Sequence, residues 1–350
     1  MPATMTASSL RQRGPWLLVT LLVFSLALAT GRLGVDLSTL ADTLRHLPAV
    51  LANALWNAPL PQGLSPEQYI ILQVRLPRLL TAFLVGAGLA LAGSVYQGVF
   101  RNPLVSPDIL GVASGCVFGA ALGLLLPGSH WLWVQGLAFL FGLVAVSMAM
   151  LIAWRFAGDS LLMMILTGII VGSLFGAALT LLKALADPYG ELPAILFWLM
   201  GSLSLSGWSD VFQLLLPVVA VYAVVHALRY RLNVLCFGDD QARSLGVDPK
   251  RLRPLLLALS SLLVAACVAS VGQVAWVGLV VPHMVRTLTG ANHLRLIPLA
   301  TLCGGLFLVL ADSLARNLSS MEIPIGVITS LVGAPLFALL LFRQKGGRSC

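Results

Sequence analysis

The stretch Arg229–Arg253, RYRLNVLCFGDDQARSLGVDPKRLR, decides how this chain is read. It carries nine of the 34 charged side chains in 350 residues, and long apolar segments flank it on both sides. A polar run of this length between such segments lies in water. Asp239 to Leu245 has the length of two helical turns, and Gly246 stands where a helix-ending glycine belongs. Asp248 is placed as an N-cap, with Pro249 restarting a helix behind it. Two readings stand: a solvated loop that sets topology, or a docking knob for a cytoplasmic partner.

Outward from this stretch the chain is 59% hydrophobic and 10% charged, where soluble domains carry roughly 25% charged residues. That much apolar surface requires lipid. The apolar runs are continuous rather than alternating, so the spans are helices, which satisfy their own backbone groups. At about 20 residues per span, the expectation is an all-α polytopic membrane protein of about ten transmembrane helices in a single domain. The spans are read at 16–30, 78–100, 109–126, 132–154, 161–185, 211–228, 254–271, 276–288, 296–314 and 325–342. Leu37, Leu40, Leu44 and Leu47 recur at helical spacing and predict an interfacial helix on the outer face.

The net charge of +8 does not point to nucleic acid, because the basic residues cluster between spans. With both termini inside, 15 of the 21 Lys and Arg fall on the inner side, as the positive-inside rule asks. The six others are Arg32, Arg45, Arg75, Arg78, Lys183 and Arg316. The five cysteines have no CxxC spacing and imply neither a disulfide framework nor a zinc site. Walker, HExxH and GxSxG motifs are absent, so no catalytic set and no cofactor is expected. Lys183 and Asp312 lie close to span ends and are read as snorkelling. Buried relay groups for an ion-coupled pump are missing.

Gly168, Gly172 and Gly176 form a doubled GxxxG, read either as helix packing or as a helix lining a translocation path. Gly201 to Gly207, with Ser202, Ser204 and Ser206, is irregular backbone that is tolerated at membrane depth only against protein or a water-filled cavity. A transporter without an ion relay or a nucleotide site needs an external motor, and the 229–253 stretch is its natural attachment.

Several blocks then carry a resemblance. They are Arg75-Leu76-Pro77-Arg78, Gly86 to Gly93, Gln97 to Leu104, Ser106 to Val112, Gly201-Ser202-Leu203, Gly238 to Gly246, Val277 to Arg286, Ile323 to Val327 and Gly333-Ala334-Pro335. In this order they resemble the FecCD-type permeases, the membrane subunits of ABC importers for iron–siderophores, haem and cobalamin. The resemblance implies the type II ABC importer permease fold in a bacterial inner membrane, and a second permease subunit around a central path. It also implies two cytoplasmic ATPase subunits and a periplasmic substrate-binding protein. By this likeness Asp239, Asp240, Arg243, Leu245 and Gly246 form the ATPase-coupling loop. Arg75, Arg78 and Arg316 become outward docking groups for the binding protein, with headgroup snorkelling as their plain alternative. The Ser-Pro-Asp-Ile-Leu-Gly block looks most like siderophore permeases, so the cargo expected is a ferric siderophore, with haem or cobalamin as the alternative. An ion-coupled secondary transporter is the rival of a different class.

Overall fold

The computed structural model describes residues 7–30, 42–56, 58–61, 63–128, 130–157, 161–319 and 321–346, with the side chains of 7–14, 157 and 343–346 excepted. Leu37, Leu40, Arg32 and Arg348 therefore lie outside the described residues, as do the side chains of Arg11, Arg13, Arg343 and Lys345. The elements are α1 (Ala7–Ala29), α2 (Leu47–Trp56), α3 (Pro66–Val99), α4 (Val112–Leu125), α5 (Trp131–Ala157), α6 (Leu161–Leu185) and α7 (Glu191–Leu199). They continue with α8 (Trp208–Leu235), α9 (Asp239–Ser244), α10 (Pro249–Val271), α11 (Val277–Thr289), α12 (His293–Asn317) and α13 (Ile325–Gly346). Seven of these helices are long and apolar enough to cross a membrane, α1 and α4 hold shorter apolar helices, and the 13-residue α11 occupies the place of the eighth span expected. Among the described residues no strand occurs.

The bundle is built around α3. Ser65 starts it with a reciprocal cap: its Oγ accepts from the Gln68 amide at 3.3 Å, and its own amide donates to Gln68 Oε1 at 3.0 Å. A π-turn at Ile71–Arg75 follows. It widens the helix just where Pro77 would otherwise crowd the preceding carbonyls. From Leu76 to Val99 every residue except Leu80 and Phe83 is buried. Small side chains explain how one helix can be covered on all sides. Gly86 lies against Gly304 of α12, and Gly93 against Gly278 of α11, so closely that a methyl group at either would overlap backbone. Helices α8 and α10 close the remaining faces, the latter through a 2.6 Å hydrogen bond between the Tyr96 and Ser261 hydroxyls.

A second layer, α4, α5 and α6, leans on α10 through α4 and α5. Phe118, Phe141 and Phe175 knit it together, with ring centroids 5.0–6.3 Å apart. The outer walls stay apolar and open, as at Leu162, Ile169, Ile170 and Leu174 of α6 and Leu331 and Leu339 of α13. Such a surface fits acyl chains or another helix-bearing subunit.

Two expectations are corrected. The hydrophilic stretch is not all loop, because α8 runs on to Leu235 and α10 begins at Pro249. Arg229, Tyr230 and Arg231 carry their polar tips on long stems, so a helix continues past the hydrocarbon edge without breaking. In the outer segment helix is present at 42–44 and at Leu47–Trp56, while the part of the leucine-spaced stretch before residue 42 lies outside the described residues. Asp312 does not snorkel; it is fully buried.

The close approach at Gly93 generates a test. Overpacking costs about 1–3 kcal/mol or more, so Gly93→Ala is expected to lower the unfolding midpoint of the detergent-solubilised protein by several degrees. Gly176→Ala, at a glycine facing open space, is expected to leave it unchanged. Equal midpoints for the two variants would contradict this packing.

Candidate functional site

At the hydrophilic end of the bundle α9 forms a knob. Gly238 enters it at φ 115°, and Asp239 and Asp240 occupy its first turn, where the helix dipole favours acids. Gly246, at φ 77°, reverses the chain. Its amide donates to the Arg243 carbonyl at 3.0 Å, and the Val247 amide donates to that of Ala242 at 2.9 Å. Asp248 then caps α10 through the Lys250 amide at 3.0 Å, with Pro249 at the first helical position. Ala242 and Val247 turn inward, while Asp240, Arg243 and Leu245 project outward, Leu245 with 60% of its surface exposed.

Asp239 faces the other way. Arg101 Nη2 donates to its Oδ1 at 2.6 Å, Arg253 Nη1 donates to its Oδ2 at 2.7 Å, and Arg253 Nη2 also donates to Oδ1. The knob is thus tied to α10 by Arg253 and to the end of α3 by Arg101. Arg101 takes a left-handed conformation, φ 52°, rare for a residue with a side chain. From there residues 102–111 turn back into the bundle as irregular chain, ending in a 3-10 turn at Pro107–Leu110. That turn is pressed on α6: a methyl group at Gly168 would overlap the Ile109 carbonyl, and Gly172 faces Gly111. Two glycines of the doubled GxxxG therefore seat a loop, while Gly176 faces open space.

At the opposite end the three arginines expected on the outer surface are inside the protein. Arg75 is 6% exposed and Arg78 7%. Arg78 donates to Asp312 at 2.9 and 3.0 Å and to Glu322 at 3.0 and 3.1 Å. Arg316 pairs with the second oxygen of Asp312 at 3.0 Å. Arg75 Nη1 and Arg316 Nη2 donate to the Leu28 and Ala27 carbonyls at 2.8 and 3.4 Å. Two guanidinium groups thereby cap the C-terminus of α1, where the helix dipole is negative. An acid one helical turn from Arg316, at Asp312, was the sequence signal for this network.

The Ser/Gly segment is clasped at the same end. Gly201 has φ 71°, the Ser202 amide donates to the Val271 carbonyl at 2.8 Å, and the Ile325 amide donates to that of Gly201 at 3.1 Å. The Ser202 and Ser204 hydroxyls are 2.8 Å apart. Ser202 and Ser206 border a cavity of about 180 Å³ with Trp131, Trp198 and Asp210. Trp276, at φ 71°, opens α11 against Phe337 of α13. Among the described residues no group of three His, Cys, Asp or Glu is placed to hold a metal ion.

The Arg253 hydrogen bonds, aided by the nearby Arg101, hold the Asp239 carboxyl below its ordinary 3.8 against a smaller opposing effect of burial. A group lowered on folding contributes stability above its unfolded pKa and loses it as pH falls through the folded one. A nitroxide on Leu245→Cys is therefore expected to keep one mobility from pH 8 to about pH 5 and to loosen only below 3.8. With Asp239→Asn added it is expected to be mobile throughout. Loosening of the unsubstituted tie near neutral pH would contradict the assignment.

Comparison with known proteins places this architecture. The chain is 44% identical over 299 residues to the molybdate import system permease protein MolB of Haemophilus influenzae, covering 85% of this chain and 88% of the relative. It is 39% identical to a probable iron chelatin transport system permease protein of Helicobacter pylori, over 81% of this chain and 86% of that one. A solved transporter assigned to the metal-chelate ABC type, in an inward-facing conformation, superposes with a TM-score of 0.83 at 39% identity, over 94% of this chain and 98% of that one. The model of the FecCD transport family matches residues 17–343. A ten-span helical bundle with a tethered polar knob, matched along nearly its whole length, belongs to the FecCD transport family of ABC transporter permeases.

Proposed function

We propose that this permease imports a metal chelate, a ferric siderophore above the other cargoes of its family, driven by ATP hydrolysed on a partner. The observation that carries the reading is the α9 knob. It exposes Asp240, Arg243 and Leu245 to a partner while Asp239 ties it, through Arg101 and Arg253, to the bundle. A short helix held by charge-assisted hydrogen bonds moves as a unit, and Gly246 lets it turn. The end bearing α9 is the richer in Arg and Lys, which supports a cytoplasmic placement there.

In this reading two ATPase subunits receive the knobs of two permease copies. Closure on ATP pulls Asp239, and the pull reaches the 102–111 segment through Arg101 and α10 through Arg253. The path then opens and closes between α6, α13 and the segment holding Ser202, Ser204 and Ser206. At the far end a loaded binding protein settles over the rim of the Arg75, Arg78 and Arg316 network. Arg78 and Arg316 there pair with Asp312 and Glu322, and Arg75, bonded to the Leu28 carbonyl, adds a third guanidinium group. The surplus positive charge orients an acidic partner, although exposed pairs contribute only about 0–1 kcal/mol each. The molybdate-importing relative favours a second reading, in which the cargo is an oxyanion.

Cargo-stimulated ATP hydrolysis by the complex of permease, ATPase and binding protein tests the proposal. Gly246→Pro, or the double reversal Asp239→Arg with Arg243→Asp, is expected to abolish the stimulation while the permease still folds and inserts. Normal coupled turnover by the double reversal would contradict the role given to α9.

A further inference from the structure

Residues 102–111 carry an acid that the coupling scheme leaves unused. Asp108 stands in the 3-10 turn, and it is exposed although the turn is packed deep in the bundle. Gly168 and Gly172, which the turn touches, lie seven and eleven residues into α6. That is about 10–17 Å along its axis, well within a hydrocarbon layer of about 30 Å. Pro107 packs on Gly278, at the start of α11. Every other described Asp or Glu lies towards one of the two polar ends.

The polar contact of Asp108 is local, its amide reaching Ser106 Oγ at 3.5 Å. Among the described residues no cation forms an ion pair with its carboxylate. An acid at this depth faces a bundle interior or a water-filled cavity, because acyl chains cannot solvate it. Irregular backbone at this depth obeys the same restriction. Both features fall on one segment, and that segment lies on the glycine face of α6. We infer that Asp108 is the charge filter of the translocation path, admitting cationic or neutral metal chelates and repelling oxyanions. The inference rests on the reading of this chain as a permease, and it favours the chelate over the oxyanion cargo. A passing anion would meet a carboxylate where the low dielectric leaves repulsion poorly screened.

The test uses the full chain in membrane vesicles. Ser114→Cys places a thiol beyond the turn, at a half-buried residue facing Gly172, and Ile109→Cys replaces it should that variant not fold. Its reaction rates with cationic trimethylammonium-ethyl and anionic sulfonate-ethyl methanethiosulfonate are compared, after subtracting the rates of the parent chain. With Asp108 present the cationic reagent is expected to react roughly tenfold faster, and with Asp108→Asn the ratio is expected to fall towards one. Vesicles holding the complete transporter are expected not to accumulate labelled molybdate with ATP.

A ratio indifferent to Asp108, no reaction with either reagent, or ATP-dependent molybdate accumulation would each overturn the filter. The thiol measurement needs no ATPase. Loss of ATP-driven transport with the ratio intact would therefore strike the importer reading alone and leave the charged path standing.

Discussion

The contact between backbones along α3 constrains everything else. Where Gly86 meets Gly304 and Gly93 meets Gly278, side chains have been removed so that helices touch directly. Between helices in lipid there is little hydrophobic force, and close packing has to supply the attraction. A fully enclosed central helix results, with α8, α10, α11 and α12 fixed around it. The α4–α6 layer, the irregular segments and α13 lie outside this enclosure.

Charge is distributed to suit that division. The buried Arg78–Asp312–Arg316 cluster satisfies acids and bases against one another, and with Arg75 it also holds the end of α1. Breaking a buried pair costs about 3–5 kcal/mol, so this end acts as a fixed frame. The other end carries a half-exposed carboxylate, Asp239, between two arginines. One of them sits at a left-handed backbone kink that opens onto the 102–111 segment. The contacts from α9 through Arg101 to the 102–111 segment and the glycine face of α6 are therefore covalently and electrostatically continuous.

Much of this was legible in the residues. The ten spans, the length of α9, its terminating Gly246 and the Asp248–Pro249 restart follow from hydropathy period and capping chemistry, which are local. Contacts between distant residues were not. Nothing near Arg78 in sequence announces Asp312 or Glu322, 234 and 244 residues away. The three arginines therefore read as surface groups although Arg75 and Arg78 are buried and Arg316 is half-buried. The 102–111 segment reads as a simple break at Ser106-Pro107-Asp108, because its depth is set by Gly168 and Gly278 on other helices. The charged stretch read as longer than its loop, since Arg and Tyr at a helix end look polar in composition while the helix continues beneath them.

The central claim is that an inert bundle takes its power from one polar knob on its cytoplasmic side. Labelling of Leu245→Cys with a membrane-impermeant maleimide tests it most directly. Reaction in inside-out vesicles but not in intact spheroplasts, and protection once the ATPase subunit is bound, is the expected result. Labelling from the periplasmic side, or labelling that the bound ATPase leaves unchanged, would contradict the account.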